Sequence, residues 1–191
     1  APLARDDYPV AVQMGAFGSI VGHELMHGFD DQGIHFGPTG RMGTWLDLSS
    51  TRGFRQMATC LANDYSQFCY HDIGMCVDGR LTNGENIADV GGLQAAFLAF
   101  KQRSPTTEYV DLPGGLSRFT NDQLFFLSYA SVWCATGDES PGLNRQLLTL
   151  NPHPPDQVRV LGSLRHFAPF ARAFSCPVGS AMVAREPCPV W

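Results

Sequence analysis

Apolar positions recur at helical spacing along most of the chain, broken by short stretches rich in glycine and proline. Over residues 11–30, Val12, Phe17, Ile20, Val21 and Leu25 interleave with polar residues and predict a helix. Gly15, Gly18 and Gly22 lower its intrinsic propensity, so close packing has to hold the segment in place. Gln32 to Gly43 is glycine-rich and suits a turn or a short hairpin. A second helix, capped by Ser49 or Ser50, is predicted to about Phe68, with Phe54, Met57, Cys60, Leu61 and Tyr65 at helical spacing. Cys69 to Asn83 reads as a loop. A third helix is expected from about Gly84 to Arg103, ending ahead of Ser104-Pro105. A fourth opens at Thr120 or Asn121 and carries the apolar run Leu124 to Trp133. Beyond the proline-rich stretch 152–155, shorter helices are expected over 156–163 and 164–174, followed by an irregular tail from Cys176. This is a mainly α pattern with little β, without repeats.

Composition narrows the classes. Hydrophobic residues make up 44% of the 191, enough for a real core, while charged residues are only 16%, against roughly 25% in an average soluble domain. Ordinary hydrophobicity at low charge excludes a disordered chain. The net charge of -5 leaves no basic stripe, so nucleic acid is not an expected partner. The uncharged stretch Val10 to Gly22 is too short to span a bilayer. Nothing ahead of it has the pattern of a signal peptide, so the expectation is a soluble, mildly acidic globule. Six cysteines without a Cys-x-x-Cys pair speak against a zinc ribbon or a thioredoxin-like motif. Their even number favours an oxidising compartment, with the pairing open among fifteen connectivities.

The string that carries chemistry is His23-Glu24-Leu25-Met26-His27. On a helix, positions i and i+4 share a face, so both imidazoles can reach one metal ion. Glu24 sits beside that face, where its carboxylate can take a proton from water activated by the metal. Residue frequencies give such a string by accident in roughly one chain in 200. A catalytic zinc needs a third protein ligand and an open position. Candidates are His35, His71, His153 and His166, with Glu85, Glu108, Glu139 and Glu186 among the acids. Glu85 stands out because Glu85 and Asp89 share one helix face and would repel unless something positive lay against them. A metal at Glu85 and an imidazole N–H at Asp89 satisfy both.

With these residues in place, the chain resembles the C-terminal catalytic part of the neprilysin / endothelin-converting-enzyme family of zinc metallopeptidases. The matching strings begin with Val21 to Asp31 and Gly84-Glu85-Asn86-Ile87-Ala88-Asp89. They continue, in family order, through Gln123 to Leu127, Val132-Trp133-Cys134, Arg159-Val160-Leu161-Gly162 and Cys188 to Trp191. The resemblance implies a thermolysin-like zincin (gluzincin) catalytic domain, C-terminal portion only, over residues 1–191. It implies one catalytic Zn2+ held by His23, His27 and Glu85, with Glu24 as general base. It further implies that Asp89 accepts a hydrogen bond from a zinc-bound imidazole, that of His23. His153 would stabilise the transition state, and Arg159 would hold a substrate carbonyl. The implied activity is zinc-dependent endopeptidase hydrolysis of small peptides, extracellular, in a family whose members are membrane-anchored. The alternative is a catalytically silent, zinc-retaining binding module.

The resemblance also marks departures. The upstream Asn-Ala-Tyr segment of the family has no counterpart, which implies a missing N-terminal lobe. Gln13-Met14-Gly15 stands where relatives often have Asn-Tyr-Gly, and Val90 where many have Asn. By resemblance Cys60 pairs with Cys188. Cys134 and Cys176 would have their partners in the upstream region and be left free here, or pair with each other. Cys69 and Cys76, close in sequence, can form a local bridge.

Overall fold

The computed structural model describes residues 3, 5–103, 112–134 and 141–190. Its first helical run is continuous: α1 (Val10–Gln13), a π-helical turn (Met14–Gly18), α2 (Ser19–Met26), and a 3-10 turn (His27–Phe29). The buried positions of this run are the small ones, Ala11, Gly15, Ala16, Ser19 and Gly22. Phe17, Val21 and Leu25 point outward and are exposed. Backbone approach explains the inversion. A Cβ on Gly22 would meet the carbonyl oxygen of Gly92 at 2.5 Å, and one on Gly92 would collide with the backbone nitrogen of His23. No large side chain fits on a face that touches another helix backbone to backbone.

The helix on the other side of that contact is α4 (Asn83–Arg103), and it is buried nearly all round: Asn83, every residue from Asn86 to Leu93, and then Ala96, Phe97 and Phe100. A helix wrapped on all sides shows little amphipathic period. Gly92 lies about one turn beyond Asp89 and two beyond Glu85, so the Gly22–Gly92 crossing sets both carboxylates beside His23.

The remaining elements enclose α4. α3 (Leu48–Tyr65) is capped by Asp47, whose carboxylate accepts the Ser50 N–H at 2.7 Å; the serines expected as caps lie inside the first turn. An aspartate one position ahead of Leu48 reaches the free amides better than a serine already in helical geometry. Where a loop was expected, β1 (Cys69–Tyr70) and β2 (Met75–Cys76) form a short antiparallel hairpin in the register Cys69↔Cys76. α5 (Asn121–Val132) opens with a Thr120–Gln123 capping box. α6 (Pro141–Leu150) occupies a stretch to which the sequence pattern assigned no element. α7 (Asp156–Arg165) and α8 (Ala168–Ala173) follow.

Two cores flank α4. Phe97 and Phe100 pack with Phe125 and Phe126 of α5 and Phe170 of α8. On the opposite side, Met57, Leu61 and Tyr65 of α3 meet Ile87 and Val90, Val158 of α7, and the tail through Cys188 and Val190. A Cys60–Cys188 disulfide, spanning 128 residues, ties α3 to the tail, and a Cys69–Cys76 disulfide closes the hairpin. Cys134 and Cys176 are both free. Among the described residues no helix is long and apolar enough to cross a membrane.

Candidate metal centre

His23 lies near the end of α2 and His27 one turn on, their rings edge to face with centroids 4.5 Å apart. The two Nε2 atoms point at the same space, 3.0 Å from each other. Across the helix crossing, Glu85 Oε2 lies 3.3 Å from His23 Nε2, and its Oε1 3.6 Å from His27 Nε2. Bonds of 2.0–2.1 Å in a tetrahedron put ligand atoms about 3.3 Å apart, and the three observed separations straddle that value. Two neutral-capable imidazoles and one carboxylate are a donor set that suits zinc. Among the described residues this trio is the group whose ligand atoms converge tightly enough to hold a metal, all within 4.8 Å.

Behind the trio, each imidazole has its own carboxylate. Asp89 Oδ1 is 2.8 Å from His23 Nδ1, and Asp30 Oδ2 is 2.7 Å from His27 Nδ1. Arg159, buried on α7, grips Asp89 with Nε and Nη2 at 2.8 and 2.7 Å and reaches Glu85 Oε2 with Nη2 at 3.1 Å. Its guanidinium stacks over Trp133 at 4.0 Å. Tyr129 bonds to Ser163 Oγ, which donates to the Arg159 carbonyl, so α5 helps set the pitch of α7 at this point. Among the described residues, the Arg159 side chain makes its hydrogen bonds through Nε and Nη2.

His153 enters from the loop before α7, with Nε2 3.3 Å from Glu85 Oε1. Asn151 Oδ1 accepts from both its backbone N–H and its Nδ1, at 2.9 and 3.0 Å. Glu24 is exposed and lines, with Ile20, His23, Trp133, His153 and Arg159, a cleft of about 260 Å³. The structure therefore brings together all seven residues singled out from the sequence.

Charge is distributed unevenly. Burial opposes a charge on His23, but hydrogen bonds to Asp89 and Glu85 outweigh it and push its pKa up to about 9 in the absence of metal. Burial also works against an ionised Glu85. The His23 hydrogen bond and the fields of His153 and Arg159 still hold its carboxyl below the usual range. Arg159 is desolvated too, yet its bonds to Asp89 raise it further.

The other ligand candidates lie elsewhere. His35 and His71 are exposed, and Glu186 lies on the surface near the tail. His166 is buried between Asp64 and the backbone N–H of Cys188, its two nitrogens occupied at 3.0 Å each. Glu108 and Glu139 lie outside the described residues. Asp30 and Asn151 were not singled out from the sequence. Asp30 stands three residues after His27, a spacing that brings side chains together at a helix end, and Asn151 two residues before His153.

Two helix-borne imidazoles thus face a carboxylate of a crossing helix, in a mainly α fold of the zincin kind. The sequence model of peptidase family M13 matches residues 1–190, and the chain belongs to that family. It is 40% identical over 194 residues to endothelin-converting enzyme 1 of Cavia porcellus, covering all of this chain and 25% of that protein. Neprilysin-3 of Drosophila melanogaster is 41% identical over 194 residues, covering all of this chain and 24% of its own length. Among solved structures, a zinc metalloprotease of Mycobacterium tuberculosis in complex with an inhibitor superposes with a TM-score of 0.88 at 27% identity, over 100% of this chain and 29% of that one. A Haemonchus galactose-containing glycoprotein complex gives 0.87 at 37% identity, covering 100% and 31%. The chain spans about a quarter of the length of the curated relatives it matches.

Proposed function

We propose that this chain carries the catalytic centre of a zinc metalloendopeptidase that cleaves small peptides outside the cell. The supporting observation is the convergence of His23 Nε2, His27 Nε2 and a Glu85 oxygen beside the cleft that Glu24 lines. In this reading His23, His27 and Glu85 hold zinc, which when bound polarises the scissile carbonyl and acidifies water. Glu24 takes the proton of the attacking water and delivers it to the leaving amine. His153, held by its two bonds to Asn151, stands where its imidazolium form would donate an Nε2–H to the developing oxyanion. Asp89 keeps His23 oriented, and Arg159 holds a peptide carbonyl next to the scissile bond. Two disulfides support an oxidising, extracellular setting.

The exposed Phe17, Val21 and Leu25 favour a second reading for the chain taken alone. They lie on the metal helix run itself, outside the residues that line the cleft, and present an apolar face of the kind a further lobe would cover. Cleavage of a quenched peptide with a bulky apolar residue after the scissile bond, abolished by a chelator, distinguishes the two. Glu24→Gln should keep zinc at wild-type stoichiometry and lose turnover by at least about 100-fold, whereas Glu85→Ala should lose zinc. Normal hydrolysis by Glu24→Gln would sink the catalytic assignment.

A further inference from the structure

Asp89 backs His23 from α4, but the support of His27 comes from the chain immediately after it. Asp30 is only 5% exposed. Its Oδ1 accepts the N–H groups of Gln32 and Gly33 at 2.8 and 2.6 Å, and its carbonyl accepts that of Ile34 at 3.0 Å. The other oxygen, Oδ2, is left facing His27 Nδ1 at 2.7 Å. Gly33 is needed for this turn, because a Cβ there would run into the carbonyl oxygen of His27. On the far side the carboxylate abuts α4, where a Cβ on Gly84 would lie 3.3 Å from Oδ2.

An ionised carboxylate only accepts, so the ring hydrogen of His27 belongs on Nδ1. The Nε2 lone pair then turns inward, towards His23 and Glu85. We infer that Asp30 is a positioning residue of the metal centre: the turn that ends the metal-bearing helix also sets the tautomer and aim of His27. This rests on the reading of His23, His27 and Glu85 as the metal site.

Asp30→Asn separates positioning from a merely structural role. The amide oxygen can still accept the Gln32 and Gly33 N–H groups and keep the turn. Its NH2 then faces His27 Nδ1 and drives the ring hydrogen onto Nε2, the nitrogen a metal needs. On the 191-residue chain, zinc affinity measured by chelator competition should fall 10–100-fold for Asp30→Asn with little change in melting temperature. Asp31→Asn, the same change one residue on, should stay within about threefold of wild type. Imidazole 15N shifts of metal-free protein should report Nδ1–H on His27 in wild type and Nε2–H in Asp30→Asn. Equal zinc affinity with an unchanged His27 tautomer in Asp30→Asn would overturn the inference. Should wild type show no zinc binding that depends on His23 and His27, the metal-site reading itself fails. The 15N shifts of wild-type His27 then still decide whether Asp30 sets its tautomer. If Asp30→Asn does not fold, an Nε2–H tautomer in wild type would equally rule the inference out.

Discussion

Two carboxylates and a guanidinium meet at His23, and the hydrogen bonds to Asp89 and Glu85 outweigh burial and the Arg159 charge to favour the protonated ring in the metal-free protein. With a folded pKa of about 9 against an ordinary 6.5, its stabilising contribution is fully present below about 6.5 and is lost as pH rises through 9. Zinc needs the same Nε2 without its hydrogen, so metal and proton compete. Glu85, held below the usual carboxylate range, brings no proton of its own to that competition above pH 6. Apparent zinc affinity should therefore rise about tenfold per pH unit between pH 7 and 8.5 and flatten above 9. Chelator competition at several pH values reads the slope, and calorimetry in buffers of different ionisation enthalpy should count about one proton released at pH 7.5. A flat profile over that range would show that His23 is not the protonated partner. These charges were legible from the sequence only in part. The i, i+4 spacings of His23 with His27 and of Glu85 with Asp89 are local, and local spacing survives folding. Arg159 is 70 residues from Asp89 and 74 from Glu85, and nothing in one strand of sequence announces that its fork closes on them.

At the scale of elements, the crossing of α2 and α4 joins the two halves of the site. It rests on glycine against glycine, which is why the hydrophobic pattern misdirects here. The large side chains Phe17, Val21 and Leu25 look like a core stripe, yet the buried face is Gly15, Ser19 and Gly22. The helices themselves were readable, because long periodic segments and the Thr120 cap carry local signals. The two-residue strands were not, since a pair of ladder positions stapled by Cys69–Cys76 leaves no period to detect. The crossing predicts opposite outcomes for one substitution at two sites. Gly92→Ala pushes a methyl into the His23 backbone, and overpacking of this kind costs about 1–3 kcal/mol. It should lower the melting temperature by several degrees and weaken zinc binding as His23 shifts from Glu85. Gly53→Ala, in open space on the exposed side of α3, should stabilise the fold by up to about 1 kcal/mol through helix propensity. Thermal denaturation of both proteins checks the pair, and a neutral Gly92→Ala would mean the helices have room to part.

For the whole molecule, low charge and ordinary hydrophobicity take on a location. The aromatic cluster between α4, α5 and α8 and the Met57–Leu61–Tyr65 cluster on the other side hold most of the buried apolar residues. What remains is an apolar outer face on the metal helix, with Phe17 49%, Val21 42% and Leu25 66% exposed, continued by Phe29 and Trp45. Contiguous apolar surface of this kind marks a contact site in soluble proteins, and here it lies beside Glu24 and the open cleft. Left uncovered in the 191-residue chain, it should drive weak self-association. Sedimentation velocity across a concentration series should show a mean mass rising above 20.9 kDa, and Val21→Ser/Leu25→Ser should flatten the rise. Because both side chains face away from α4, that variant should keep the zinc affinity of wild type within about threefold, well short of the 10–100-fold losses expected of residues that orient metal ligands. Loss of zinc together with loss of association would place the stripe inside the folded core of the centre, whereas loss of association with zinc retained assigns it to an exposed contact surface.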